Sequence, residues 1–280
     1  MMRETLILLR REVVKWVNRR PVLLISIITP LFWILLFGKS FNLLRLLSSE
    51  DLPLPASIAE ALRGYLSAYI ASLFGTLDYF TYITSGILVV FSLFQSMFSG
   101  VSVVFDKRLG YLTRLLVAPI PRTSIFLAKV GGTLFRVTLL SLILLMIADV
   151  AGFEFKEGIT VLDLAGAWLV VALVATGFTS VFASIAFHVD NQEVIFALAN
   201  LVNLPLMFTS SAIFPVEQMP EWLQSVAVFN PLTYAADLVR YFLVGKEVAS
   251  LAGSLAALVV FASAALAIGA YASVRGMERD

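Results

Sequence analysis

The triplet Gly38-Lys39-Ser40 has the ending of a phosphate-binding loop, in which a glycine-rich turn cradles phosphates and the lysine reaches them. Such a loop needs a glycine five residues before Gly38, and Trp33 stands there. The triplet also closes an apolar run that no strand precedes, so Lys39 reads as a lysine snorkelling to a membrane surface. His188 is the only histidine, with Asp190 and Glu193 close behind it, and imidazole plus carboxylates is metal-ligand chemistry. One imidazole and two carboxylates on a short loop fall short of a metal site, and a solvated loop is expected. With no cysteine, disulfides, thiolate nucleophiles and cysteine-ligated metals are excluded. Peptidase, transferase or proton-relay chemistry inside a membrane requires ionisable groups within the spans. Arg136 alone lies well inside one, and it is expected to reach headgroups or pair with an acid.

Residues 106–122, DKRLGYLTRLLVAPIPR, are better suited to an interaction than to catalysis. They form a basic, amphipathic segment wedged between two long apolar runs. Read as a helix, Leu109, Leu112 and Leu116 share one face, while Lys107, Gly110, Tyr111 and Arg114 lie opposite. Pro119 and Pro121 end it before the next run begins. A loop of this kind has no lipid-facing task, so it is where the chain would meet a cytoplasmic partner.

The elements that must position this loop are membrane helices. The chain has 280 residues, 60% of them hydrophobic and 14% charged, with a mean hydropathy of +0.93. That composition belongs to an integral membrane protein, all-α because lipid offers the backbone no other partner. A bilayer core about 30 Å thick takes roughly 20 apolar residues as a helix. Six runs qualify: 21–41, 82–105, 131–150, 164–187, 194–214 and 251–274. With six spans and both termini inside, 14 of the 20 basic residues fall on the cytoplasmic side, including Arg3, Arg10, Arg11, Lys15, Arg19, Arg20, Lys107, Arg108, Arg114, Arg122 and Lys129. Residues 42–81 and 215–250 then face outward, with 12 of the 19 acids on that side. The first run is too long for a cleavable signal peptide and lacks a small-residue cleavage site. Ahead of it, residues 1–20 form an interfacial helix, with Leu6, Leu9, Val13, Trp16 and Val17 on its apolar face.

A seventh stretch, 222–244, is long enough to span but contains Asn230-Pro231, Asp237 and Arg240. Two charges at mid-depth cost roughly 2.5–3.5 kcal/mol each on insertion scales, and Asn-Pro breaks a helix. It is expected to form two short re-entrant helices, with Asp237 and Arg240 paired at i and i+3. Ala265, Gly269 and Ser273 make a small-residue stripe on the last span, expected to pack within one subunit. No internal repeat or linker divides the chain, which reads as one domain over residues 1–280.

Two segments together resemble the permease subunit of type-2 ATP-binding-cassette exporters, the class of drug, polysaccharide and lipid-linked-glycan exporters. The first is Asp106, Lys107, Gly110, Tyr111, Leu115, Pro119 and Arg122 of the inner loop. The second is Leu204 to Gly245, with Pro205, Phe214-Pro215, Met219-Pro220, Asn230 through Tyr234, Asp237 and Arg240. Pro30 in the first span also fits. The resemblance implies a six-span multi-pass subunit of the cell membrane that dimerises, as a homo- or heterodimer, and receives separate ATPase subunits on its cytoplasmic side. ATP and Mg would be bound by those partners, leaving no cofactor or enzymatic activity on this chain, and no nucleic-acid partner is expected. Residues 106–122, with Asp106, Lys107, Arg108, Gly110, Arg114, Pro119 and Arg122, would hold the coupling element. Residues 215–245, with Pro215, Pro220, Asn230, Pro231, Tyr234, Asp237 and Arg240, would form an outer re-entrant gate. The cargo would be apolar or amphipathic. A membrane enzyme would need a polar cluster at one depth, an assembly factor no Pro-rich re-entrant segment, and a secondary transporter intramembrane carboxylates or repeated halves.

Overall fold

The computed structural model describes residues 2–40 and 56–278, and every regular element among them is a helix. Helices α1 (Met2–Val17) and α2 (Arg20–Ser40) meet at a bend of 76°. α3 (Ala56–Phe74) leads through a short turn to α4 (Tyr79–Arg108), whose first amides are capped by the Asp78 carboxylate. The short α5 (Tyr111–Val117) follows, then α6 (Arg122–Val150), α7 (Val161–Ala186) and α8 (Gln192–Phe208). A 3-10 turn at Val216–Gln218 precedes α9 (Glu221–Ala227), α10 (Pro231–Leu243) and α11 (Leu251–Gly276).

The six apolar runs fall on α2, α4, α6, α7, α8 and α11. Among the described residues, four stretches are long and apolar enough to cross a membrane: Glu60–Arg108, which contains α4, and α6, α7 and α11. The bent α1–α2 pair makes a fifth, and α8, at 17 residues, is shorter. The fifth run is expected to reach Phe214, but α8 ends at Phe208. Pro205 removes one backbone donor from its last turns. The turn that follows is held by side chains instead, with Asn230 Nδ2 donating to Leu206 O (2.7 Å) and Ser210 Oγ to Met207 O (2.8 Å). α6 starts nine residues before its apolar run, because Pro121 opens the helix and its first turns carry inward-facing Ser124 and Lys129. α3 has no counterpart in the sequence reading, which leaves 42–81 as a connection. The start of that connection, 41–55, lies outside the described residues, as do the side chains of Lys39 and Ser40 in the Gly38-Lys39-Ser40 triplet.

α4 is the axis of the molecule. It packs along α7 and also touches α2, α6, α8 and α10, and α11 lies on the far flank of α7. Its interior face mixes Tyr82, Leu88, Val89 and Leu93 with fully buried Thr84, Ser85, Ser92 and Ser96. Ser85, Ser92 and Ser96 return their hydroxyls to carbonyls of their own helix, at 2.7–2.8 Å. They therefore act as small residues that let α7 close in. The stripe on α11 works the same way within the chain, with Gly269 seated on Ser180 of α7 and Phe126 of α6, and Ser273 buried. Between Tyr82 and Asp106, roughly 36 Å of α4 at 1.5 Å per residue carries no Asp, Glu, Lys or Arg. Both ends of that neutral stretch are marked by an ionic cluster.

Candidate functional site

The first cluster stands where α1 crosses the C-terminal end of α4 and the start of α6. α1 does not present the apolar face read from its sequence. Trp16 turns inward with Leu8 and Glu12, all under 9% exposed, while Leu6 and Val17 face outward. The helix is rotated because its charged side finds partners inside. Asp106 is 3% exposed and accepts hydrogen bonds from Arg11 Nη1 and Nη2 (both 3.3 Å), Lys15 Nζ (2.9 Å) and Lys129 Nζ. Lys129 also reaches Glu12 Oε1 (2.9 Å) and Ser102 Oγ (3.1 Å), and Arg11 Nη1 donates to Glu12 Oε1 (2.9 Å). Burial alone would raise the Glu12 carboxyl, but the ammonium groups of Lys129 and Lys15 outweigh it and hold it below its ordinary value. Three cations against two acids fasten α1 to α4 and α6. Arg136, two turns further along α6, donates to Thr133 Oγ1 (2.8 Å) on its own helix.

The inner loop hangs from this cluster. It is not one helix over 106–122, because Gly110 takes φ +65 and breaks the chain between α4 and α5. That left-handed turn favours glycine, and it rotates Leu109 out of the shared leucine face to 68% exposure. Leu112 is buried, with Leu115 and Leu116 packed beside it. Tyr111, expected opposite, turns back to receive the Arg11 guanidinium at 3.3 Å from its ring centroid, so α1 holds α5 directly. The loop's charged residues divide by role. Asp106 is internal. Lys107 pairs with Asp190 Oδ1 (2.7 Å) and Phe187 O (3.1 Å), and Arg108 Nε reaches Asp190 O (3.1 Å), tying α4 to the α7–α8 turn. Lys107 accordingly holds the Asp190 carboxyl below its usual value. Arg122 meets Glu278 (3.1 Å). Arg114 and Pro119 are exposed, alongside Leu109 and Val117.

The second cluster lies at the other end of α4. Asn230 caps α10 through Oδ1 to Leu232 N (2.9 Å), and Pro231 fills the first helical position. Asp237 and Arg240 pair as their spacing implies, at 3.3 Å. Arg240 is fully buried; its guanidinium lies 3.6 Å from the Tyr82 ring centroid and donates to Ala212 O (3.0 Å). Ser211 Oγ donates to Asp237 Oδ1 (2.9 Å), and Tyr82 Oη to Ser211 O (2.7 Å). Gly86 permits this contact, since a Cβ there would stand 1.8 Å from Ala212 O. Tyr234 Oη closes the turn on Val228 O (2.6 Å). Pro215 is buried and Pro220 exposed, flanking the 3-10 turn.

Sequence reasoning placed Asp106 and Arg240 but missed Arg11, Glu12, Lys15, Lys129, Tyr82 and Ser211 as their partners. The one available signal was the dense run of charge in Arg10-Arg11-Glu12 and Lys15 on a helix otherwise suited to lipid. Neither cluster sets a nucleophile against a base, and among the described residues no three His, Asp or Glu side chains converge on a metal position. His188 Nδ1 lies 2.9 Å from Ser184 O. These clusters fasten helices together.

Comparison with known proteins agrees with a transport architecture. Residues 3–244 match the ABC-2 type transporter membrane family. The putative transport permease ycf38 of Porphyra purpurea is 32% identical over 226 residues, 80% of this chain and 68% of the relative. The probable doxorubicin resistance ABC transporter permease protein DrrC of Mycobacterium tuberculosis (strain H37Rv) is 25% identical over 156 residues, 55% of each chain. The daunorubicin resistance ABC transporter permease protein DrrB1 of Streptomyces coeruleorubidus is 23% identical over 226 residues, 80% of this chain and 70% of that one. The family is one of transport permeases, not itself catalytic, and implies an ATP-binding-cassette ATPase partner and a dimeric permease in general. With its matched 3–244 and its apolar helices, this multi-pass membrane protein belongs to the ABC-2 type transporter family.

Proposed function

We propose that this chain is the transmembrane half of an ATP-driven exporter, moving an apolar or amphipathic cargo (a drug, lipid or glycan) across the cell membrane. In this reading it crosses six times, both termini and the inner loop face the cytoplasm, and 215–245 forms an outer re-entrant gate. A separate ATPase subunit binds ATP and Mg and docks on the inner loop, and a second permease copy completes the pathway. The relatives named for doxorubicin and daunorubicin resistance support a drug among the cargoes.

The observation that carries this reading is α5. A seven-residue helix at the end of the long α4 displays Arg114 and Val117 outward, next to the exposed Leu109, while Leu112 and Tyr111 tie it to α1 and α4. A push on the exposed side would therefore be transmitted to α1 and α4 together and, through Lys129, to α6. Reorienting the spans requires the partner to bind the two states with different free energies, and α5 is the surface on which that difference would be expressed. Within the coupling residues, Arg114, Leu109 and Pro119 are assigned to the partner contact, and Asp106, Lys107 and Arg108 to holding the loop in place.

The test is Arg114→Glu. Charge reversal on the exposed face should weaken ATPase docking by about 1–3 kcal/mol, roughly five- to a hundredfold in affinity. Expression and detergent melting should stay at the wild-type level. Unchanged ATPase co-purification and unchanged cargo-stimulated hydrolysis, in a well-folded Arg114→Glu protein, would remove this residue from the docking surface.

A further inference from the structure

The rotation of α1 divides the N-terminal basic residues into two sets. Arg11 and Lys15 are spent inside the protein on Asp106. Arg3, Arg10, Arg19 and Arg20 are all exposed and make no ion pair among the described residues. At 100° per residue Arg3 and Arg10 fall on the face directly opposite Leu8 and Glu12. Arg19 and Arg20 sit at the bend where α1 meets α2. The outward face holds no acid, because Glu12 is turned in and Glu4 lies toward the edge of the packed side. Between the arginines stand Leu6, Val14 and Val17, 44–60% exposed.

Charge and geometry together select the occupant. α2 runs along the membrane normal if it spans, and the 76° bend then lays α1 nearly in the membrane plane. An apolar strip between basic side chains, at that height, is suited to acyl boundary and anionic headgroups at once. We propose that the outward face of α1 is an anionic-phospholipid binding surface, with Arg3, Arg10, Arg19 and Arg20 contacting headgroup phosphates and Leu6, Val14 and Val17 entering the acyl boundary. A soluble partner's acidic face would match the arginines but would leave the apolar strip without a counterpart. This inference rests on α1 lying at the membrane and does not require the ATPase to dock on α5.

The test uses the full-length chain in nanodiscs, with an environment-sensitive fluorophore on Leu6→Cys, the chain having no other cysteine. Quenching is compared between nitroxide-headgroup phosphatidylglycerol and nitroxide-headgroup phosphatidylcholine at equal mole fraction. Each arginine near an anionic surface is worth about fivefold in local lipid when unscreened, so phosphatidylglycerol should quench at least about threefold more strongly. The preference should fall to parity in R3Q/R10Q/R19Q/R20Q, survive in the matching four-lysine variant, and shrink in 0.5 M salt at a Debye length of roughly 4 Å. Millimolar inorganic phosphate should not reduce it. Equal quenching by both lipids in the wild-type chain overturns the proposal. So does a preference that persists in the four-glutamine variant, competition by free phosphate, or loss of the preference when the ATPase subunit is added, which would give this face to the protein partner.

Discussion

Replacing Asp106 with alanine would leave Arg11, Lys15 and Lys129 facing one another with only Glu12 between them. The side chains of Asp106 and Lys129 are 4% and 6% exposed, so they behave as a buried pair. Breaking such a pair from one side costs about 3–5 kcal/mol, since the remaining charge stays buried. Glu12 still holds Lys129 at 2.9 Å, and Lys15 and Arg11 keep 20% and 32% exposure, which places the cost toward the lower end, about 3 kcal/mol. The loss falls on the seating of α1, because the apolar packing of α4 on α7 does not pass through Asp106. A shift of about 3 kcal/mol raises the unseated population of α1 by about a hundredfold. Leu8→Cys reports it: Leu8 is 7% exposed, and a membrane-impermeant maleimide reaches a cysteine there only when α1 lifts. The labelling rate in Leu8→Cys/Asp106→Ala should exceed that of Leu8→Cys by about that factor at unchanged global melting. Adding Lys129→Met to Asp106→Leu should recover much of the loss, as removing both members of a buried pair commonly does. Equal labelling rates with and without Asp106 would refute the reasoning, because α1 would then be held by its apolar contacts alone.

Three further outcomes follow from the geometry. Glu12 has a folded-state pKa below its unfolded value, so its contribution is complete above the ordinary carboxylate range and is lost as pH falls through the depressed value. The melting-temperature difference between wild type and Glu12→Gln should thus be flat from pH 8 to 5 and narrow below about 4.3; a difference that changes between pH 6 and 8 counts against it. Arg240→Met leaves the Ala212 carbonyl without its donor at the other end of α4, while Asp237 keeps Ser211 and its 31% exposure, so the cost in detergent melting should be about 1–3 kcal/mol; Tyr82→Phe, which loses one hydrogen bond to Ser211, should cost about 1 kcal/mol. Finally, cysteines introduced at Gln218 and Glu247 should both label from outside intact cells and one at Thr113 only from inside, and outside labelling at Thr113 would invert the topology.

What the sequence could disclose follows the range of each interaction. Apolar runs are local, so the helices now seen as α2, α4, α6, α7 and α11 were legible in place, with ends displaced by the caps at Asp78, Pro121 and Thr160. Asn230-Pro231 broke its helix as expected, and Asp237 found Arg240 one turn away. The early end of α8 was not legible, because Asn230 must come from 24 residues along to cap Leu206. The face of α1 failed for the same reason. A hydrophobic pattern assigns Trp16 to lipid, and only Asp106 and Lys129, roughly 100 residues downstream, turn it inward. The break at Gly110 was hidden by a leucine spacing that continues across it. α3 was missed because Glu60 and Arg63 interrupt its apolar residues, whereas the runs on α4 and α7 carry no charge.

The separation between α1 and its partners also sets an order of events during synthesis. Arg11 and Lys15 bond a residue made 95 and 91 positions later, and Glu12 one made 117 positions later. At about 5–20 residues per second, α1 exists for several seconds with its inward charges unmet while α2, α3 and α4 are still being made. A helix of 16 residues is marginal by itself in water, so over that interval the nascent segment depends on whatever its outward side can grip. Chains stopped short of Asp106 would keep α1 in that waiting state, whereas chains extended past Lys129 would draw it down onto the assembled helices.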